Sequence, residues 1–332
     1  MPKVYIAITA DWEGEDFKNL RDFKKIRREM SDHIPFTHFI CPNYFLNQTD
    51  KPTENILETI TRTDRVGLHI HCYRELIASS GVEFRRDPNY HRPLSPFQKW
   101  LRSNYNIHLK KVTGRGVPLS AYSEREIRQI IRMSCKLLQS KLDLPDLTTF
   151  RAGGWMANDV VLQILSEEGF SVDSSAIPPG ILSQGFQENH PGDGKDDYQE
   201  SNGIFTDFIR SLWGPEIQDE PFLQNKIIVE SRKGKLIQRT TQPWHIDKIL
   251  ELPNNGGLTD FASPQKTLRP LLEYGLNWMD RHQRDFFICT GIHQEGPIEY
   301  KIPLLKFIRS LTHSELQHIE FIDIPTAGKI FG

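Results

Sequence analysis

The chain has 332 residues, 38% of them hydrophobic, and a formal net charge of -2 at pH 7. So balanced a charge gives no global electrostatic reason to expect nucleic acid or an anionic membrane as a partner. No apolar run approaches the roughly 20 residues needed to cross a bilayer. Cys41, Cys72, Cys135 and Cys289 are scattered, with no C-x-x-C pair. Together with a strand-like start that leaves no room for a secretory signal, they fit reduced thiols in a cytoplasmic protein.

The first element is a strand over 4–10 that delivers Asp11 and Glu13 at its end. Residues i and i+2 of a strand point to the same side, so the two carboxylates face one site together. Further strand-like runs lie at 34–41 and at 65–71, the latter ending in His69-Ile70-His71, with a helix expected over Thr53–Thr63 between them. Ser123-Glu124-Arg125-Glu126 matches a capping box and opens a periodic helix through Ile127, Ile130, Ile131 and Leu138. The next strand, 148–152, ends in Arg151 and runs into Gly153-Gly154-Trp155. A helix over Asn158–Glu168 stops at Gly169, and a strand over 170–175 carries Asp173. Strands at 247–252, 286–292 and 319–324 are separated by helices over Pro264–His282 and Pro303–Leu316, and the 286–292 strand leads to His293.

Strands alternating with helices imply a parallel sheet, and seven or eight such units imply a closed or nearly closed α/β barrel in one domain spanning 1–332. Two stretches break the rhythm, at about 78–120 and 178–240. The first mixes arginines and lysines with aromatics, and the second is rich in Gly, Pro and Asp turns. Both are long for α/β connections and read as insertions over the barrel.

Neutral imidazole nitrogens and carboxylate oxygens are ligands for zinc and similar divalent metals, and a catalytic site needs about three of them with a position left open. Glu13, His69 and His71 supply that set, which leaves Asp11 free to act as a general base. Arg151 either pairs with Asp11 and holds it ionised or makes an ordinary structural salt bridge. His293 reads as a general acid or as a core histidine bonded to a loop. Asp173 orients that histidine, binds a sugar hydroxyl or caps the following turn. Trp155 and Trp244 are candidates for the walls of a substrate pocket. The constellation points to a metal-assisted hydrolase.

In their order along the chain these elements resemble the NodB-homology polysaccharide deacetylases, carbohydrate esterase family four. The family's T-F-D-D motif resembles Thr9-Ala10-Asp11-Trp12, with Asp11 in the place of the base. Its second Asp, a metal ligand, falls on Trp12, so Glu13 is the replacement. The H-[ST]-x-x-H motif is similar to His69–Tyr73, and His71 substitutes for the second ligand, which falls on Tyr73. Phe150–Trp155 resembles the third motif, Gly169–Ser175 the G-[FY]-x-x-D-S-S strand, and Ile288–His293 the closing motif that supplies the acid.

The resemblance implies a distorted (β/α)7-8 barrel and a divalent metal, zinc first, with cobalt, nickel or iron as alternatives. It also implies removal of an N-acetyl group from a saccharide or sugar precursor, in surface polysaccharide or lipopolysaccharide biosynthesis. A homo-oligomer is compatible with it. Two other readings stay open: an amide, imide or ureide C–N hydrolase on the same scaffold, and a non-catalytic saccharide-binding relative.

Overall fold

The computed structural model describes residues 1–46, 51–85, 117–155, 157–176, 242–260, 263–265 and 267–332. Both expected insertions lie largely outside the described residues. The strands are β1 (Val4–Trp12), β2 (Phe36–Ile40), β3 (Arg65–Ile70), β4 (Thr149–Ala152), β5 (Val172–Asp173), β6 (Trp244–Ile246), β7 (Ile249–Glu251), β8 (Gly257–Leu258), β9 (Phe286–His293) and β10 (Ile319–Ile322). They form one mixed α/β sheet in the order β6-β7-β5-β4-β3-β2-β1-β9-β8, with β10 also pairing with β1. Among the described residues every pairing is parallel except β6 with β7. The C-terminal ends of the parallel strands therefore gather at one end of the sheet, where such folds carry their chemistry.

β1 lies inside the sheet and pairs with three strands. One edge pairs with β9 from Val4 to Asp11. The other edge is shared, by β10 along Val4–Ala7 and by β2 along Ile8–Trp12. Its alternation divides the core in two. Val4, Ile6, Ile8, Ala10 and Trp12 pack into a large cluster under the helices. Ala7 faces the concave side with Phe39, Val172, Leu250, Phe287 and Cys289. The helix Ile324–Phe331, which periodicity alone did not reveal, plugs that concave side with Ile324 and Ala327. It packs so closely that a Cβ on Gly328 would lie 2.7 Å from Val172 Cγ2. Asp323 caps this helix by accepting from Thr326 N–H, and Ile324 N–H donates to Thr37 Oγ1 of β2. Both faces of the sheet are thus covered, as a parallel sheet requires.

Three expected helices have different limits. Pro264–His282 is found as Leu268–His282. Thr53–Thr63 is found as Lys51–Leu57. Pro303–Leu316 is found as two helices, Ile298–Arg309 and His313–Leu316, because Thr312 and Glu315 form a new capping box between them. A helix over Leu20–Glu29 is present that the sequence reading did not single out. Among the described residues no helix is long and apolar enough to cross a membrane.

Trp12 points away from the concave face, and a buried polar network receives it. Its Nε1–H donates to His38 Nδ1 at 3.0 Å, so the ring proton of a neutral His38 sits on Nε2, which faces Asp64 Oδ2 at 3.2 Å. Asp64 also accepts from Arg27 at 2.6 and 3.0 Å and from the N–H groups of Phe36 and Thr61. Burial alone would raise the Asp64 carboxyl, but the hydrogen bonds from His38 and Arg27 outweigh it and hold the group well below the usual carboxylate range. Burial likewise pushes His38 down, toward the neutral ring.

A carboxylate with a depressed folded-state pKa contributes stability above its unfolded pKa and loses it as pH falls toward the folded one. Asp64→Asn removes one partner of a buried charged pair, a change that costs about 3–5 kcal/mol. Thermal unfolding of the two proteins across pH is expected to show a constant gap between about pH 5 and 8 that narrows below about pH 4. A gap that stays constant into acid would contradict an ionised Asp64.

Candidate metal centre and active site

β1 and β3 each place an inward-facing pair at the same end of the sheet: Asp11 and Glu13 from one, His69 and His71 from the other. Register sets Asp11 beside His293 of β9 and His69 beside Arg151 of β4. Asp11, Glu13, His69, His71 and Arg151 are all buried.

Glu13, His69 and His71 bring one ligand atom each within 4.8 Å of one another. His71 Nε2 stands 2.9 Å from Glu13 Oε2, and His69 Nε2 stands 3.7 Å from Oε1. Two atoms bound to one zinc at 2.0–2.1 Å in a tetrahedral shell lie about 3.4 Å apart, and the observed separations bracket that value. His69 gives the sharper test of fit. Its Nδ1 faces the Arg151 carbonyl at 2.9 Å. A carbonyl can only accept, so the ring proton is on Nδ1 and Nε2 carries a lone pair. That Nε2 is buried and makes no hydrogen bond. A lone pair held toward a carboxylate oxygen is the arrangement of a metal ligand whose second nitrogen is fixed by a carbonyl. His71 is seated by a missing side chain, since a Cβ on Gly153 would lie 2.6 Å from His71 Nδ1 and from the Ile70 carbonyl.

Arg151 reaches across the concave face from β4 to β1. It donates to Asp11 Oδ1 and to Thr9 Oγ1, both at 2.8 Å, and to the Ser174 carbonyl and hydroxyl at 2.9 Å. Its guanidinium lies 4.4 Å from the centre of the Phe39 ring. So many fixed partners hold the Asp11 carboxylate in one orientation beside the His69–Glu13 pair.

His293 completes the cluster from the other side. Its Nε2 is 3.1 Å from Glu13 Oε1 and its Nδ1 is 3.1 Å from Asp260 Oδ2. Burial would lower this imidazole, but Asp260 and Glu13 outweigh burial and raise it well above the ordinary histidine range. Burial would raise the Glu13 carboxyl, but His71 and His293 hold it well below its usual range. His293 thus sits between two carboxylates, Glu13 on its Nε2 side and Asp260 on its Nδ1 side. Asp260, just after β8, was not singled out from the sequence, where a two-residue strand leaves no periodicity to mark it.

Asp173 lies away from the His293 cluster. Its register partner is Phe150, on the helix-covered face, whereas its neighbour Val172 faces the concave side. There Asp173 accepts from Ser175 Oγ at 2.6 Å and lies against Glu251, whose carboxyl is raised by burial and by Asp173. The place behind His293 belongs to Asp260. Trp244 is on the edge strand β6 opposite Glu251, and so on that same outer face. Trp155 is at the site's end of the sheet, half-buried on the turn after β4 with φ +58°. A left-handed conformation costs an L-residue roughly 1–2 kcal/mol, so this turn holds Trp155 against a local preference.

Because Gly153 leaves room for His71, Gly153→Ala is expected to displace that imidazole and lower zinc affinity about tenfold or more with the fold retained. Titration of the folded variant against a chromophoric chelator measures this, and an unchanged affinity would remove His71 from the ligand set.

No protein-family model matches the sequence, and no curated protein matches it. The structure is similar to that of a presumed polysaccharide deacetylase from Mycobacterium smegmatis. That match covers 99% of this chain and 90% of the other, at 12% identity and a TM-score of 0.51. An allantoinase structure matches over 98% of this chain and 89% of its own, at 9% identity and a TM-score of 0.49. A presumed polysaccharide deacetylase involved in O-antigen biosynthesis, from Bordetella bronchiseptica, matches over 94% and 88%, at 11% identity and a TM-score of 0.35. The first match shows a likeness of fold: the chain has the mixed α/β architecture, built on a curled open sheet, of the M. smegmatis protein.

Proposed function

We propose that this chain is a metal-dependent hydrolase that removes an N-acetyl group from a saccharide or sugar precursor, with zinc bound by Glu13, His69 and His71. One observation carries the reading: His69 Nε2 is held as a buried lone pair toward Glu13 by the Arg151 carbonyl, between a fixed Asp11 on one side and a proton-donating His293 on the other. A metal bound there would lower the pKa of water and polarise an amide carbonyl.

Each protein group then has a task set by its position. Asp11, oriented by Arg151, takes the proton of the attacking water as the new C–O bond forms. His293, oriented by Asp260, gives its proton to the departing nitrogen as the C–N bond breaks, so that acetate and a free amine result. Burial of Arg151 and Asp11 excludes solvent from that pair and keeps the carboxylate from turning away. Trp155, at the rim, offers an aromatic plane suited to the apolar face of a sugar. The fold shared with a presumed polysaccharide deacetylase supports a saccharide as substrate, and the paired base and acid support hydrolysis rather than binding alone.

Acetate release from N-acetylated sugars, with zinc or cobalt added, measures the activity. Asp11→Asn and His293→Ala are each expected to lower kcat by about 10²–10⁴ while circular dichroism shows the fold intact. Full activity in either variant would contradict its role, and no acetate from any N-acetylated sugar by the metal-loaded protein would contradict the substrate class.

A further inference from the structure

We propose that Glu295 is a positioning residue for Glu13: with Tyr44 it forms a buried clamp on a proposed metal ligand that lies one residue beyond the end of its strand. The proposal rests on the metal-site reading above. β1 ends at Trp12, so its ladder with β2 stops one residue short of Glu13. Where the resembling motif has a ligand at position 12, this chain has moved the carboxylate to position 13 and out of the sheet. Something other than a neighbouring strand must then fix its backbone.

Glu295 does so. Glu13 N–H donates to Glu295 Oε1 at 3.0 Å, and the same oxygen accepts from the Tyr44 hydroxyl. Tyr44 is itself wedged, with its ring stacked on Phe17 at 4.6 Å and edge-on to Trp12 at 6.4 Å. The segment that carries Glu295 is pinned at several points. Gln294 N–H donates to the Asp11 carbonyl at 2.8 Å, and its side chain donates to the Lys18 carbonyl at 2.9 Å. Asn19 Nδ2 donates to the Glu295 carbonyl at 2.7 Å, and Lys301 donates to the Gly296 carbonyl. On the far side of Glu13, the Gly14 carbonyl accepts from Asn43 Nδ2 at 2.7 Å. Gly14 has φ +87° and no room for a side chain, since a Cβ would lie 2.8 Å from Cys41 Sγ.

Glu13 is therefore held by the Glu295 side chain at its own N–H and by Asn43 at the Gly14 carbonyl, while the Trp12 carbonyl before it accepts from the Cys41 N–H at 3.0 Å. A ligand on a loop is looser than one on a strand unless supporting groups lock it. Glu295 supplies that lock on the N–H side, and its carboxyl reaches Glu13 only because Gln294 ties the end of β9 to the backbone of Asp11.

The test uses the full chain with Glu295→Ala, Glu295→Gln and Tyr44→Phe, and two readouts. Hydrogen exchange at the Glu13 amide is measured on metal-free protein, and zinc affinity is measured by competition with a chromophoric chelator. Glu295→Gln keeps an acceptor oxygen and is expected to retain both amide protection and affinity. Glu295→Ala is expected to speed exchange at Glu13 and to weaken zinc about tenfold or more. Tyr44→Phe removes a single hydroxyl and is expected to move both readouts in the same direction by less. Should the alanine variant fail to fold, Tyr44→Phe decides alone, and no change in exchange at Glu13 would overturn the clamp. Unchanged exchange and affinity in Glu295→Ala would overturn it, as would equal losses in the alanine and glutamine variants. A wild-type chain that binds no zinc would remove the metal reading, while exchange at Glu13 would still decide the clamp.

Discussion

The rest of the site depends on the burial of the Glu13 carboxylate among His69, His71 and His293. An isolated carboxylate taken out of water is penalised by many kcal/mol unless charges and hydrogen bonds compensate it. Compensation here comes first from His71 and His293, and the surrounding structure sets the direction of all three imidazoles. The Arg151 carbonyl fixes His69, Asp260 fixes His293, and the absent side chain of Gly153 leaves the space that His71 fills. Arg151 serves twice, through its carbonyl toward His69 and through its guanidinium toward Asp11, so one residue orients both a proposed ligand and the proposed base.

The same strand that delivers the carboxylates builds the core behind them. Alternation along β1 sends Thr9 and Asp11 to the concave side and Ala10 and Trp12 to the helix-covered side. Trp12 then meets a buried charged network of His38, Asp64 and Arg27 rather than the metal ligands. In the proposed reading, Glu13 takes the ligand place that the resembling motif gives to position 12, and its N–H is held by Glu295 rather than by a strand partner.

Most of this was legible where strands are long enough to show their period. Asp11 and Glu13 at and just past the end of β1, His69 and His71 at and just past the end of β3, and His293 at the end of β9 could be read from two-residue spacing at the ends of apolar runs. Arg151 could be read from the short run before a glycine pair. What could not be read lies on elements too short to carry a period. Asp260 follows β8 and Asp173 ends β5, each a strand of two residues. With so short a strand, the motif around Asp173 fixes that a strand exists but not which face the carboxyl takes. Glu295 was hidden for another reason: its partners, Glu13 and Tyr44, are more than 250 positions away in sequence, and only the β1–β9 pairing brings them together. The plug made by Ile324–Phe331 carries local signals, an Asp cap and a proline in the first turn, but its target on the concave face is a tertiary fact.

X-ray absorption at the zinc edge of the zinc-loaded chain tests the central claim, that Glu13, His69 and His71 form one metal centre, most directly. The account predicts two imidazole nitrogens and carboxylate oxygen at about 2.0–2.1 Å, with no sulfur in the shell although Cys41 lies nearby. A sulfur scatterer at about 2.3 Å, or a shell with fewer than two imidazoles, would contradict it.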